Sequence, residues 1–460
     1  MTGMRWLAIA ALGVAACADD AAEPGLDPTA LLTRLHALGF AGGRIDPPDD
    51  GHSAYSLTVT QPVDHDHPEA GVFEQRVTLR HRSTGPHTPM VVFTTGYDDY
   101  WGTAPSEPTE LLDANQVSIE HRFFGTSLPP LDAAGRDWTK LTIAQAAADE
   151  HVIITLLAQV YGGPFITAGP SKGGMAAAFH RRFYPDDVIG TVAYVAPLSL
   201  GAPDPRYQAF LAAAGPAACH AKVHALAFEM LAHRRVALEA LVSNALAGDP
   251  LPPGPALDDA VRYFEWAFWQ YHGVAACDDL PEVGDSDDAL FGVLDAVNSF
   301  AAAADPDQRA RFAAYDFQAR FQLGYPDEAS HDLDPYLKFP DGVQPVALGP
   351  GAFEPTYDPG AMADIADFMI HDAAHMLFVY GQFDPWSAGA FPVTGGDVAE
   401  LVVANGNHDA ELSELGDRDR AAAFAMLEAW TGVAPDRGRV QERRRRAALS
   451  HRAPRIGRLP

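Results

Sequence analysis

The chain has 460 residues, of which 47% are hydrophobic and 20% charged, enough apolar material for one large core with an insertion or a second domain. A formal net charge of -29 repels phosphate backbones and anionic lipid, so nucleic acid and direct adsorption to a membrane surface are excluded as expected partners, while cations such as peptide amino termini are attracted. In chain order, "MTGMRWLAIAALGVAAC" carries one basic residue, Arg5, then an apolar run from Trp6 and small residues ahead of Cys17, the pattern of a signal peptide over residues 1–17. Val14, Ala15, Ala16 and Cys17 match a bacterial lipobox, in which Cys17 is acylated; the alternative is ordinary cleavage that removes Cys17. Residues 18–28 then read as a tether. No later run of about 18 apolar residues predicts a membrane span, so a lipid on Cys17 is the one expected route to a membrane.

Short β-branched and aromatic runs predict strands at residues 77–81, 90–95 and 115–121, followed by a helix over 142–160. A strand at 165–168, a glycine-rich turn, a helix through Phe183 and a strand at 188–195 follow. Alternation of this kind predicts parallel βαβ units, so residues 29–199 form the first part of an α/β core. Between residues 200 and 348 the pattern becomes Ala-rich and helical, and strand signals return only at 375–381 and 400–406, ahead of a helix over 417–430. Neither half alone has enough strands for a sheet. The expected architecture is therefore one α/β sheet in two parts, 29–199 and 349–433, with a helical cap inserted at 200–348. Residues 434–460 form a basic tail, in which residues 437–460 hold nine arginines against one glutamate; it reads as a solvated, mobile end.

Export places Cys219 and Cys277 in an oxidising compartment, where they are expected to pair; two buried free thiols are the alternative. The loop so closed would add about 4 kcal/mol on the chain-entropy argument. No Cys/His spacing suits zinc, and no metal or cofactor is expected. "DHDH" at residues 64–67 reads as a solvated turn ahead of Pro68 rather than a metal site. In the cap, "RYFEWAFWQYHG" puts Phe264, Phe268 and Tyr271 on one helical face and Trp266 and Trp269 on another, a stripe expected to pack the core, with a substrate wall as the alternative.

The turn after the strand at 165–168 reads Gly169-Pro170-Ser171-Lys172-Gly173, a G-x-S-x-G sequence between a predicted strand and a predicted helix. There a serine in a strained backbone projects its hydroxyl, and Gly169, Gly173 and Gly174 let strand and helix approach. A serine hydroxyl needs a general base and an acid to orient that base, and on this architecture the chain order is Ser, acid, His. Asp384 in "GQFDPWSAGAF" and His408 in "ANGNHDAEL" follow two late strands in that order, so Ser171, Asp384 and His408 are the candidate catalytic triad. The oxyanion needs two donors: the Lys172 amide and one from the loop "TTGYDDYWG", with Gly96 and Tyr97 the candidates. Simple packing is the alternative for Tyr97, Tyr100 and Trp101.

The segments "QPVDHDHPEAGVFEQRVTLRHR", "SIEHRFFGTSLP", "GPSKGGMAAAFHRRFYPDDVIGTVAYVAP", "GQFDPWSAGAF" and "NGNHDAEL" resemble the secreted bacterial tripeptidyl aminopeptidases of serine peptidase family 37 and, more distantly, the prolyl carboxypeptidase and dipeptidyl-peptidase family. The likeness spans residues 61–430 and leaves out the lipobox and the Arg-rich tail. It implies an α/β-hydrolase core with a helical cap, Ser171, Asp384 and His408 as nucleophile, acid and base, no cofactor, and release of short peptides, typically tripeptides, from a free amino terminus. Such an enzyme must neutralise a buried ammonium. Glu120 of "EHR" is the first candidate, with Asp98 and Asp99 behind it. The alternative for Glu120 is an internal ion pair with Arg122, two residues along the strand. Trp386 is a candidate wall for an apolar substrate side chain. A lipase or esterase on the same fold, and a non-catalytic surface binding protein, are the competing functions; the absence of an HGGG-type loop leans against many esterases.

Overall fold

A computed structural model describes residues 26–450 apart from 49, 132, 134, 247, 344–350, 352 and 396. Nine strands form one mixed sheet: β1 (Phe40–Ile45), β2 (Ser53–Pro62), β3 (Val72–His81), β4 (Met90–Thr94), β5 (Asn115–Ile119), β6 (Phe165–Pro170), β7 (Gly190–Tyr194), β8 (Met376–Gly381) and β9 (Val398–Val403). Their spatial order is β1-β2-β3-β5-β4-β6-β7-β8-β9. The first four in that order pair antiparallel, and from β5 onward every pair is parallel. The chain adopts the α/β-hydrolase fold.

The apolar runs of the sequence are the parallel strands, because such strands are covered on both faces. All five residues of β4 are buried, as are all six of β8. Val91, Ile166, Val192 and Leu377 face a cluster with Leu427 and Trp430, while Met376 and Phe378 face the opposite one with Met175, Ile365 and Phe368. Residues 53–62 alternate in burial and form β2, and residues 40–45 form β1, whose two glycines dilute the strand signal; neither is among the strands expected from the sequence. Gly42 is needed there: at φ 119° a Cβ would come 2.3 Å from the Ser56 carbonyl oxygen.

Between β7 and β8 the chain is helical from Arg206 to Tyr336, with a hydrophobic cluster of its own that contains Phe264, Trp266, Phe268 and Trp269. The Cys219–Cys277 disulfide ties the Ala217–Ala232 helix to the Gly273–Asp279 turn, with a Cα–Cα distance of 5.5 Å. The helix Pro359–His371 then returns to the sheet, burying Met362 and Ile365 against Met376 and Phe378. The cap boundary expected near residue 348 lies outside the described residues, as do the signal peptide and Cys17.

The basic end is not a mobile, solvated segment over its first part. A helix runs over Arg437–Ser450, and Val440 is buried against the sheet-side cluster. Arg443 donates to Glu110 Oε2 at 2.6 Å and to Glu411 Oε2 at 3.0 Å, Arg439 donates to Asp113 at 3.1 Å, and Arg444 donates to the Leu415 carbonyl at 2.9 Å. The acidic partners lie over 300 positions away or follow His408: Glu107 and Glu110 on the short helix Glu107–Leu112, Glu411 on the loop after His408. Burial, with Glu107 alongside, pushes the Glu411 carboxyl up to about 7 against the pull of Arg443. A carboxyl raised in the fold contributes stability at acid pH that is lost as pH climbs from the ordinary carboxylate range toward 7. Arg443→Ala is therefore expected to lower the thermal midpoint more at about pH 8, where the three glutamates repel, than at about pH 5. Equal losses at both would show that the helix docks by its apolar contacts alone.

Candidate active site

Ser171 sits between β6 and the helix Lys172–Phe183 at φ 53° and ψ -125°, a region that L-residues avoid and that costs on the order of 1–3 kcal/mol. The turn is held by Ser171 N–H donating to the Tyr194 carbonyl at 2.8 Å and by Met175 N–H donating to the Ser171 carbonyl at 2.9 Å. Close approach explains the glycines. A Cβ at Gly169 would lie 2.5 Å from the Gly173 carbonyl carbon, and one at Gly173 would lie 2.2 Å from the Thr94 oxygen.

Asp384 and His408 leave the carboxyl ends of β8 and β9, which stand next to β7 and β6 in the sheet, so all three loops open on the same edge. That edge is where open α/β sheets assemble their sites. His408 Nδ1 lies 2.8 Å from Asp384 Oδ2, and the acid is fully buried. The other carboxylate oxygen accepts from the Trp386 amide at 3.2 Å. Burial raises the Asp384 carboxyl, while His408 and the Trp386 amide pull it down. With Nδ1 engaged, Nε2 is the nitrogen left for proton transfer. The cap holds the histidine in place: His408 N–H donates to the Gln270 carbonyl at 2.9 Å, and Asn407 Nδ2 donates to the Tyr271 carbonyl at 2.9 Å. Tyr271 and Trp386 flank the imidazole at 6.2 and 6.1 Å between ring centroids. Four of the five aromatics in the cap stripe thus pack the core, while Tyr271 faces the histidine, the helix having widened to a π-turn at Phe268–His272.

Gly96 has φ 73°, and a Cβ there would come 2.5 Å from the Gly173 nitrogen, so the loop after β4 is wedged against the elbow. The Tyr97 carbonyl accepts from His121 N–H at 2.8 Å and from Thr95 Oγ1 at 2.7 Å. The Tyr97 and Lys172 amides find no acceptor among the described residues, as two oxyanion donors require. The Tyr97 ring packs against Phe124, Phe312 and Tyr315 at 5.6, 6.0 and 5.9 Å.

The nominated carboxylates behave differently from expectation. Glu120 does not pair with Arg122: that guanidinium is fully buried and binds Asp149 through two hydrogen bonds of 2.7 Å. Glu120 is itself 1% exposed, and its oxygens accept from the amides of Thr126, Ser127 and Asp99 and from the hydroxyls of Thr126 and Ser127. It organises the loops beside the site. Asp99 accepts from Thr78 and the Gly102 amide, and burial pushes it up to about 6. Asp98 is ion-paired with Arg311 of the cap. Trp386 packs between Tyr207, Trp266 and His408. Asp64 and His65 of "DHDH" are not a solvated turn either; Asp64 is buried and pairs with Lys140 at 2.6 Å, and His65 meets Asp149 at 2.7 Å.

Two further carboxylates escaped sequence reasoning. Burial, with Asp316 and Asp327 nearby, pushes Glu328 up to about 7, and burial pushes Asp316 up to about 6. Both act on Tyr315, whose ring meets Tyr97. A cavity of about 370 Å³ opens in the cap beside Asp316, lined also by Tyr263 and Phe312 among others.

A strained elbow serine, a buried acid–histidine pair and a helical roof on this sheet define an α/β-hydrolase-type serine hydrolase. Residues 34–453 match PS-10 peptidase S37, and the chain belongs to the peptidase S37 family. The match includes the first part of the Arg-rich end, which the resemblance read from the sequence had left out. The chain is 36% identical over 443 residues to the prolyl tri/tetrapeptidyl aminopeptidase of Streptomyces mobaraensis, covering 93% of this chain and 90% of that one. It is 32% identical over 191 residues to the lysosomal Pro-X carboxypeptidase of Mus musculus, covering 37% and 38%. The solved structure of a proline iminopeptidase from Mycobacterium smegmatis superposes with a TM-score of 0.40 at 14% identity, covering 84% of this chain and 98% of that one.

Proposed function

We propose that this serine peptidase is exported and releases tripeptides or tetrapeptides from free amino termini through an acyl-enzyme. Ser171 attacks the scissile carbonyl, His408 Nε2 takes the hydroxyl proton and returns it to the leaving amine, and Asp384 holds the imidazole in that tautomer. The amides of Lys172 and Tyr97 receive the oxyanion. Water then repeats the sequence on the acyl-enzyme. The observation that carries this reading is the buried Asp384–His408 hydrogen bond at the sheet edge where Ser171 is held in its strained turn.

The choice of short peptides rests on the Streptomyces relative's name and on the cap, which contacts His408 directly. Asp316, raised by burial, and Glu328, raised by burial and by Asp316 and Asp327, are carboxyls whose ionisation an incoming ammonium would favour. Export is supported by the apolar leader and by the disulfide, a bond that persists in oxidising compartments. Digestion of a peptide library, read by mass spectrometry, tests bond choice and the need for a free terminus together. A chromogenic tripeptide is expected to turn over at least about tenfold faster, in kcat/KM, than its amino-terminally acetylated form, the size of one desolvated charge contact. Equal turnover of the two would remove the amino-terminal reading, and hydrolysis of acyl esters alone would favour an esterase.

A further inference from the structure

The elbow lysine has a side chain as well as an amide, and that side chain points inward. Lys172 is 3% exposed. Its Nζ donates to the Gly96 carbonyl and lies over the rings of Phe124 and Tyr97, 4.7 and 5.4 Å from their centroids. An ammonium has three donors, so one carbonyl leaves capacity unused. Beside it is a small cavity, with about 10 Å³ for the centre of a water molecule, lined by Lys172, Glu150, Gln318 and His121. That is near the smallest space that holds one water. Glu150 Oε2 and Gln318 Oε1 are buried acceptors that find no partner among the described residues. A donor with spare capacity and two orphan acceptors around a water-sized cavity describe a site for one bridging water.

The bond to Gly96 has a consequence for the reaction. A trans peptide is planar, so the Gly96 carbonyl and the Tyr97 N–H point to opposite sides of the same unit. Anchoring the carbonyl on Lys172 turns the Tyr97 N–H outward, away from the lysine. If that peptide flipped, a carbonyl oxygen would stand where negative charge develops, and the oxyanion would lose a donor and gain a repulsion.

We propose that Lys172 is a positioning residue: its Nζ, linked by a buried water to Glu150 and Gln318, locks the Gly96–Tyr97 peptide with the Tyr97 amide facing the oxyanion. This rests on Ser171 being the nucleophile. Burial pushes the Lys172 ammonium well down and the Glu150 carboxyl well up, each partly offset by the other's field. Burial, helped by Lys172, also pushes the His121 imidazole well down.

The test compares Lys172→Met and Ser171→Ala with the wild-type enzyme, using a tripeptide substrate and a tripeptide boronic acid that forms a tetrahedral adduct. Lys172→Met is expected to melt as a folded protein, to keep KM within about threefold, and to lose about a hundredfold in kcat with a parallel loss in boronate affinity, the size of one oxyanion donor. An unchanged kcat, or a loss in kcat with full boronate affinity, overturns the proposal. Should Lys172→Met fail to fold, Glu150→Leu combined with Gln318→Leu removes the water's acceptors and should still lower kcat at least fivefold at constant KM; no change there also overturns it. Activity surviving in Ser171→Ala would instead sink the assignment of the nucleophile, whatever Lys172 does.

Discussion

Ser171→Ala and His408→Ala are each expected to lower kcat by about a million-fold and to reach the same floor, and the double variant should fall no further, because members of a triad act as one unit. The physical reason is that a hydroxyl without its base is as inert as no hydroxyl, while the base without a nucleophile has nothing to deprotonate. Residual turnover would come from the oxyanion donors and from binding. Asp384→Asn should keep the fold and cost about ten-thousand-fold, since an amide favours the wrong imidazole tautomer. Labelling by a fluorophosphonate probe should vanish in Ser171→Ala. Additive losses in the double variant, or labelling that persists without Ser171, would show that the proton passes through other groups.

The second large effect concerns the fold around the site. Arg122 is fully buried, and besides Asp149 it donates to the carbonyls of Val63 at 3.0 Å and Lys140 at 3.1 Å. It thereby ties the strand-end loops at 62–65, the turn at 120–127 and the helix Ile143–Leu157 into one network. Asp149→Ala leaves that guanidinium buried without its counter-charge and is expected to destabilise the protein by about 3–5 kcal/mol in urea unfolding. Replacing both partners, as Arg122→Met with Asp149→Leu, should recover most of the loss, because the cost lies in the stranded charge and not in the absence of an ion pair. A single-variant loss below about 1 kcal/mol would mean that water reaches the guanidinium.

The parts of the site that share a short stretch of chain were legible beforehand. The elbow follows from Gly169, Ser171, Gly173 and Gly174 in a strand-to-helix turn, and the Ser, Asp, His order followed from two late strand ends. Partners of individual charges were not. Glu120 and Arg122 look like a pair in "EHR", yet the first binds the backbone of its own loop and the second reaches across to Asp149. The arginine-rich end looked like solvent-exposed charge until Glu107, Glu110 and Glu411 were brought beneath it.

What the sequence determined by itself is whatever depends on local period and local strain: buried parallel strands as continuous apolar runs, the cap as an Ala-rich helical interruption, and a nucleophile turn that only small neighbours permit. The tertiary structure alone decided which ionisable groups meet, which of them lose their water, and which peptide plane Lys172 holds. Period and strain act over a few bonds, whereas Coulomb attraction and desolvation depend on distance through space, and folding sets those distances between positions far apart in the chain.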